Sequence, residues 1–275
     1  MLQQEADKTK NSPNLKRKED YGYQRIQKML VHFGVPPDGV LLLHSSFKSF
    51  ARDGYVAKSV LQAFCDYMSA GTLLLPTMSW RFVKKEKPFF DVRETPSNTG
   101  ILTELFRTLP GVIRSVHPTH SVAGKGKDAA KILATHQESA TPCDHASPFG
   151  KMQGYNAHVI MLGVGMDCCT LVHHVEEYMA PELYVKPDVD EVVYECSDSK
   201  RHKFPIHLQR HMFLPRNYWQ FQDILAYQNK LQISMLDNSP CLHYLAKDMV
   251  ACVEQILQNN PAAIIAKPGE RYRMM

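Results

Sequence analysis

The chain has 275 residues, of which 44% are hydrophobic and 22% charged, and its formal net charge is +4. That length can bury one large core or two subdomains packed together, while the small positive balance excludes a strongly basic nucleic-acid-binding module and leaves room for a basic pocket. No run reaches the ~18 apolar residues of a membrane-spanning helix, the first residues lack the apolar centre of a secretion signal, and the seven cysteines form no regular framework, so reduced thiols and a cytoplasmic location without membrane or nucleic-acid partners are expected.

Residues 1–20, "MLQQEADKTKNSPNLKRKED", are polar and read as a disordered or loosely attached tail. Residues 21–275 read as one unit, with two interlocked α/β subdomains as a variant of that reading. Ile26, Leu30 and Phe33 recur at helical spacing and Gly34 stops the helix. "VLLL" (40–43) suits a buried strand. A helix over about 58–70 leads through Gly71 to a second buried strand, "TLLLP". Helices are predicted near 100–109 and in "KDAAKILATHQ", and a third buried strand in "HVIMLGVG" (158–165). "EVVYECSDSKRHKFPIHL" alternates, breaks at Ser197–Ser199 and resumes, as a β-hairpin does. Two late helices are placed near 218–231 and 241–258, and "AAIIAK" as a final strand. Helices alternating with short apolar strands predict a layered α/β/α fold, and the hairpin makes the β-sheet mixed.

Three polar segments follow strands or turns. "HSSFKSF" (44–50) comes directly after a buried strand, where ligands gather in α/β folds, although serines there also simply form turns. "RSVHPTHSVAGKG" (114–126) surrounds His117 with Arg114, Lys125 and Lys127, and its glycines would permit close approach to a phosphate. It lacks the spacing of a nucleotide P-loop, and a basic surface loop is the plainer alternative. "TLVHHVEEYMA" (170–180), if helical, sets His173 with Glu176 and His174 with Glu177, each three apart on one face. A carboxylate-held histidine suits a general base, and the same pattern also occurs as a surface ion pair. His117, His120, His173, His174, Glu176 and Glu177 offer metal ligands without a zinc-site spacing, and Cys169 lies four residues before His173 as a candidate nucleophile.

In their order, "HSSFKSF", "GTLLLPTMSW", "FDVRETPSNTGILTELFRTLPGVIRSVHPTHSVAGKG", "HASPFGK", "VIMLGVG" and "TLVHHVE" resemble the aminoglycoside 3-N-acetyltransferase family over roughly residues 20–270. The resemblance implies that family's own α/β fold, acetyl-CoA as co-substrate, no metal, and a small-molecule amine acceptor such as an amino sugar or aminoglycoside. It assigns the base to His173 in T-x-x-H-x-x-E, with Thr170 and Glu176 at the matching positions, and aligns His117 and Ser121 with H-P-x-x-S. Cys169 stands where the family often has asparagine.

On this basis His44, Ser45, Ser46 and Phe47 are expected along the pantetheine arm of CoA, and Arg114, Ser115, His117 and Ser121 near its phosphates. Glu176 is expected to raise the pKa of His173, or else to bind the acceptor ammonium, and Thr170 to help hold the oxyanion. A polycationic acceptor needs an acidic pocket, for which Asp188, Asp190, Glu191 and Glu195 are candidates; the positive net charge instead favours a neutral or anionic amine. The alternatives are a metal-dependent amidohydrolase and a catalytically inactive CoA- or sugar-binding member of the family. The hairpin at 192–207 would serve as a lid or as an edge for a homo-oligomer.

Overall fold

The computed structural model describes residues 13–275, with side chains from Asp20 onward. Helix α1 (Pro13–His32) leads to β1 (Val40–Ser45), α2 (Lys48–Arg52), α3 (Ala57–Tyr67) and β2 (Thr72–Pro76). A long excursion carries β3 (Phe89–Asp91) before α4 (Ile101–Arg107), β4 (Ile113–Arg114), β5 (Val122–Gly126) and α5 (Ala129–Leu133). Then come α6 (Pro148–Lys151), β6 (His158–Leu162), α7 (Leu171–Met179) and α8 (Pro181–Tyr184). The chain finishes with β7 (Val192–Ser197), β8 (Lys203–Leu208), β9 (Pro215–Arg216), α9 (Trp219–Tyr227), β10 (Gln232–Leu236), β11 (Ser239–Leu245), α10 (Ala246–Asn259) and β12 (Arg273–Met274).

The main sheet has seven strands in the order β10-β11-β6-β1-β2-β5-β4. Its centre, β6-β1-β2, is parallel, and both flanks are antiparallel. A parallel centre needs cover on both faces, and β1 shows how the sequence meets that demand. Leu41 and Leu43 belong to a core with Ile26, Leu30 and Phe64 of α1 and α3, whereas Val40 and Leu42 belong to another with Val172 and Val175 of α7 and Val250 and Val253 of α10. The period-two alternation of a strand thus splits one apolar run between two helical layers, giving the expected α/β/α sandwich around a mixed sheet. A second, three-stranded sheet, β3-β7-β8, holds the anticipated hairpin, with β3 parallel to β7, and encloses Phe90, Tyr194, Cys196 and Leu208 in its own small core.

Several expectations change. α1 begins at Pro13, inside the segment read as a polar tail; residues 1–12 lie outside the described residues. Residues 241–245 form a strand, β11, and the helix starts only at Ala246. Cys241 to Tyr244 are all buried, and a short apolar run buried on both faces has no period to separate strand from helix. The helix at 219 ends at Tyr227, after which Asn229 takes a left-handed φ of 56° and β10 begins. "AAIIAK" contributes one isolated bridge, Ile265 to Arg216, and no strand.

The segment read as a basic loop enters the sheet as β4 and β5. Its glycines are there for packing. A Cβ on Gly124 would come within 2.7 Å of Leu74, and one on Gly126, whose φ is +120°, within 2.0 Å of the Gly71 carbonyl oxygen. No helix among the described residues is long and apolar enough to cross a membrane.

Candidate active site

The parallel strands β1, β2 and β6 end at one edge of the sheet, and the segments that leave them line a cavity of about 860 Å³. This is the edge where open α/β sheets collect ligands, and the volume lies within the usual range for small-molecule sites. From β1 come His44, Ser45, Ser46 and Phe47; from the turn after β6 come Cys168, Cys169 and Thr170; and α7 supplies His173. Register sets the first contact, since the Ser46 N–H donates to the Leu162 carbonyl at 2.9 Å and ties the two exits together.

α7 is amphipathic in an unusual sense, because His173, His174, Glu176 and Glu177 are all buried. His173 Nδ1 lies 2.8 Å from Glu176 Oε2. Glu176 also accepts from the Tyr218 hydroxyl at 2.9 Å and from Arg216 Nε at 3.0 and 3.1 Å. Glu176 and Arg216 are both fully buried. Because an ionised carboxylate only accepts, this arrangement puts the ring proton on Nδ1 and leaves the Nε2 lone pair at the cavity wall. Glu176 is therefore behind His173 and does not line the cavity.

Burial, and then the nearby Arg216 guanidinium, hold His173 well below the usual imidazole range. This reverses the expected upward shift. Arg216 already balances the Glu176 charge, so desolvation dominates and the ring is neutral near pH 7.

His174, one residue on, turns about 100° around the helix and bonds the Cys143 carbonyl at 2.7 Å, away from the cavity. Thr170 occupies the N-cap of α7, yet its side chain makes no capping hydrogen bond. It lines the cavity with its hydroxyl unclaimed by other protein groups among the described residues. Cys169 does not pair with His173: its thiol is 3.0 Å from the Tyr244 hydroxyl and is pushed up to about 11 by burial, which argues against a nucleophile. All seven cysteines are unpaired.

The second expected group does not reach the cavity. Arg114 donates to Ser121 Oγ at 2.9 Å and to the carbonyls of Thr95 and Thr77 at 2.6 and 2.7 Å. Ser121 Oγ in turn donates to Thr77 at 2.8 Å. Ser115 Oγ bonds His136 at 2.8 Å. His117 is fully buried, stacks on His136 with centroids 4.3 Å apart, and accepts from the backbone N–H groups of Thr119 and His120. These four residues brace the loop that projects Thr119 and His120 into the cavity. All three Arg114 guanidinium nitrogens are bonded to protein acceptors, and the residue does not line the cavity.

Sequence reasoning missed the residues supplied by long-range packing. His211 stacks on His173 with centroids 4.2 Å apart, and its edge meets His120 at 5.3 Å. Tyr218 lies 2.9 Å from His173 Nδ1. His211 lies in no periodic segment and Tyr218 only opens the helix expected at 218–231; "QRHMFLPRNYW" otherwise offers an aromatic-rich loop, and Arg216 in it pairs with a residue 40 positions away.

The described residues bring together one set with metal-ligand chemistry, Cys143, Glu177 and His211. Its carboxylate already bonds the Thr141 hydroxyl at 2.6 Å, the Cys143 N–H at 2.8 Å and His211 Nε2 at 2.6 Å. Burial raises Glu177 and Cys143 well above their usual ranges and lowers His211. The Glu177 carboxyl is thus already engaged in hydrogen bonds, and burial disfavours the charged forms of Glu177 and Cys143 that a cation would need.

Comparisons with known proteins identify the family. Residues 42–258 match the profile of the family described as aminoglycoside 3-N-acetyltransferase. The chain is 30% identical over 179 residues to the SPbeta prophage-derived aminoglycoside N(3')-acetyltransferase-like protein YokD of Bacillus subtilis (strain 168), covering 58% of this chain and 65% of that protein. It is 34% identical over 163 residues to aminoglycoside N(3)-acetyltransferase IV of Salmonella sp, covering 58% and 59% respectively. In sequence it therefore spans less than two thirds of the length of these curated relatives.

In structure the match is longer. The aminoglycoside acetyltransferase AAC(3)-IVa apoenzyme superposes with a TM-score of 0.70 and 25% identity, over 90% of this chain and 92% of that one. The YokD crystal structure gives 0.73 and 23%, over 87% and 94%. With most of its length under the family profile, the chain belongs to the aminoglycoside 3-N-acetyltransferase family.

Proposed function

We propose that the protein transfers the acetyl group of acetyl-CoA to a primary amine of a small molecule, an amino sugar being the leading class, with His173 as general base. The observation that carries this reading is a neutral imidazole clamped through Nδ1 by the buried Glu176–Arg216 pair, with Nε2 turned to the cavity of about 860 Å³. An amine attacks a thioester only as the free base. Its nitrogen bonds the carbonyl carbon, the C=O electrons move to oxygen, and His173 Nε2 takes the proton that nitrogen sheds. Glu176 offsets the imidazolium formed. Collapse of the tetrahedral species breaks the C–S bond, and the departing thiolate regains a proton from the imidazolium, leaving amide and CoA thiol. Base assistance of this kind contributes ~10²–10⁴ in rate, and holding the reactants together supplies more.

The Thr170 hydroxyl, which lines the cavity beside His173 without a protein partner among the described residues, would donate to the oxyanion, in the manner of preorganised donors elsewhere. Ser45, Ser46 and Phe47 line the cavity where the pantetheine arm would pass. His44 is lowered to about 4 by burial, so it is a neutral wall residue there.

Incubating the protein with acetyl-CoA and a panel of primary amines, and following thiol release, tests the reading. Amine-dependent release that ignores chelator supports it. CoA binding without release across the panel would favour an inactive member of the family, and chelator-sensitive deacetylation of N-acetyl sugars would favour an amidohydrolase.

A further inference from the structure

The cavity wall carries four basic side chains, Lys48, Arg81, Arg210 and Arg273, against one acid, Asp167. That acid is already engaged, since Arg273 Nη1 lies 3.1 Å from its carboxylate. The carboxyls nearest the reacting centre are not presented to a substrate: Glu176 is paired with Arg216, and Glu177, held by Thr141, the Cys143 N–H and His211, does not line the cavity. The acids that were candidates for a polycation pocket are elsewhere. Glu191 faces His207, Glu195 faces Lys203 and Asp188 accepts from Gln209, and none of them lines the cavity. A polyamine entering here would meet like charge on its flanks.

Arg210 is the distinctive member of this set. Its Nε is buried without a hydrogen-bond partner, and among the described residues its guanidinium makes no ion pair. It also lines a side recess of about 270 Å³ that shares Trp80 and Thr119 with the main cavity. The recess adds Lys84 and Lys85, with Glu86 as its one acid, and contains none of residues 44–48. Its basic floor is therefore separate from the wall proposed to follow the pantetheine arm. An unpaired guanidinium donor withdrawn from water costs free energy unless a partner arrives, and a guanidinium fork matches phosphate or carboxylate geometry.

We infer that the acceptor is an amine that also carries an anionic group, a phosphate or a carboxylate, and that Arg210, with Lys84 and Lys85, binds that group while the amine reaches His173. This rests on the acetyl-transfer reading for the fate of the amine, but the anion site can be tested without it. The same chemistry could hold a phosphate of CoA, and the two sources separate by experiment.

The test is calorimetric titration of glucosamine 6-phosphate, glucosamine and sisomicin into the protein loaded with CoA, alongside thiol-release kinetics with acetyl-CoA. The phosphate sugar should bind at least about ten-fold more tightly than glucosamine, the value of a charge-assisted hydrogen-bond pair, and more tightly than sisomicin. Arg210→Gln and, independently, the surface double variant Lys84→Gln/Lys85→Gln should each reduce that preference. Both should raise KM for the phosphate sugar more than KM for acetyl-CoA. Equal affinity for the two sugars, tighter binding of sisomicin, or a loss confined to acetyl-CoA would overturn the inference. Absence of thiol release with the phosphate preference intact would instead count against acetyl transfer and leave the anion site standing.

Discussion

Replacing Glu176 with glutamine keeps the shape of the site and removes its buried negative charge. The consequences can be worked from three contacts: His173 Nδ1 at 2.8 Å, the Tyr218 hydroxyl at 2.9 Å and Arg216 Nε at 3.0 Å. Arg216, fully buried, loses its counter-ion, and removing one partner of a buried pair typically costs about 3–5 kcal/mol. The glutamine amide can also donate to Nδ1, which moves the ring proton to Nε2 and blocks the base. Where a carboxylate that orients a histidine is replaced by an amide, turnover falls by about 10⁴. Urea unfolding and thiol-release kinetics measure the two effects. Adding Arg216→Met to Glu176→Gln should recover part of the stability, because the stranded cation is gone, and should recover no turnover. A single variant within about 1 kcal/mol of wild-type stability, with turnover within about two-fold, would refute the claim that this buried pair sets the tautomer of His173.

Two further outcomes are expected. Arg114→Met should lower thermal stability, since it strands the carbonyl of Thr95 and removes a donor from Thr77 and Ser121, yet leave CoA affinity near wild type; a selective loss of CoA binding in a stable variant would return Arg114 to the phosphate site. Stability should also fall on acidification. His44, His120 and His136 are lowered to about 4, 3 and 3 by burial, so the unfolded chain takes up their protons first, from its ordinary pKa near 6.5. Their stabilising contribution is complete above that value and is lost as pH drops toward 4–3, by up to about 1.4 kcal/mol per pH unit for each group. Urea midpoints that stay level between pH 7 and 5 would contradict the burial of neutral rings.

The fold was legible where apolar runs are unambiguous. "VLLL", "TLLLP" and "HVIML" became the parallel centre, because strands covered on both faces must be apolar throughout. The same logic misled at Cys241–Tyr244, where an equally apolar run precedes a helix without a break. In the site, local pattern offered two pairs, His173 with Glu176 and His174 with Glu177, and the family resemblance chose the first and added Thr170; α7 turns His173 to the cavity and His174 away from it. Sequence reasoning misplaced Arg114, Ser115, His117 and Ser121, whose polar character reflects mutual hydrogen bonding behind the cavity. The anchors of the His173–Glu176 pair, Arg216 and Tyr218, lie 40 and 42 residues from Glu176, and such pairing leaves no trace in local sequence.

Acetyl transfer as proposed requires His173 as the proton acceptor. Its direct test is His173→Ala, with turnover by thiol release and CoA affinity by titration measured on the same preparation. A loss of at least about 10² in kcat, with CoA affinity within about two-fold of wild type, is predicted. A variant that folds, binds CoA and retains most of its turnover would contradict it.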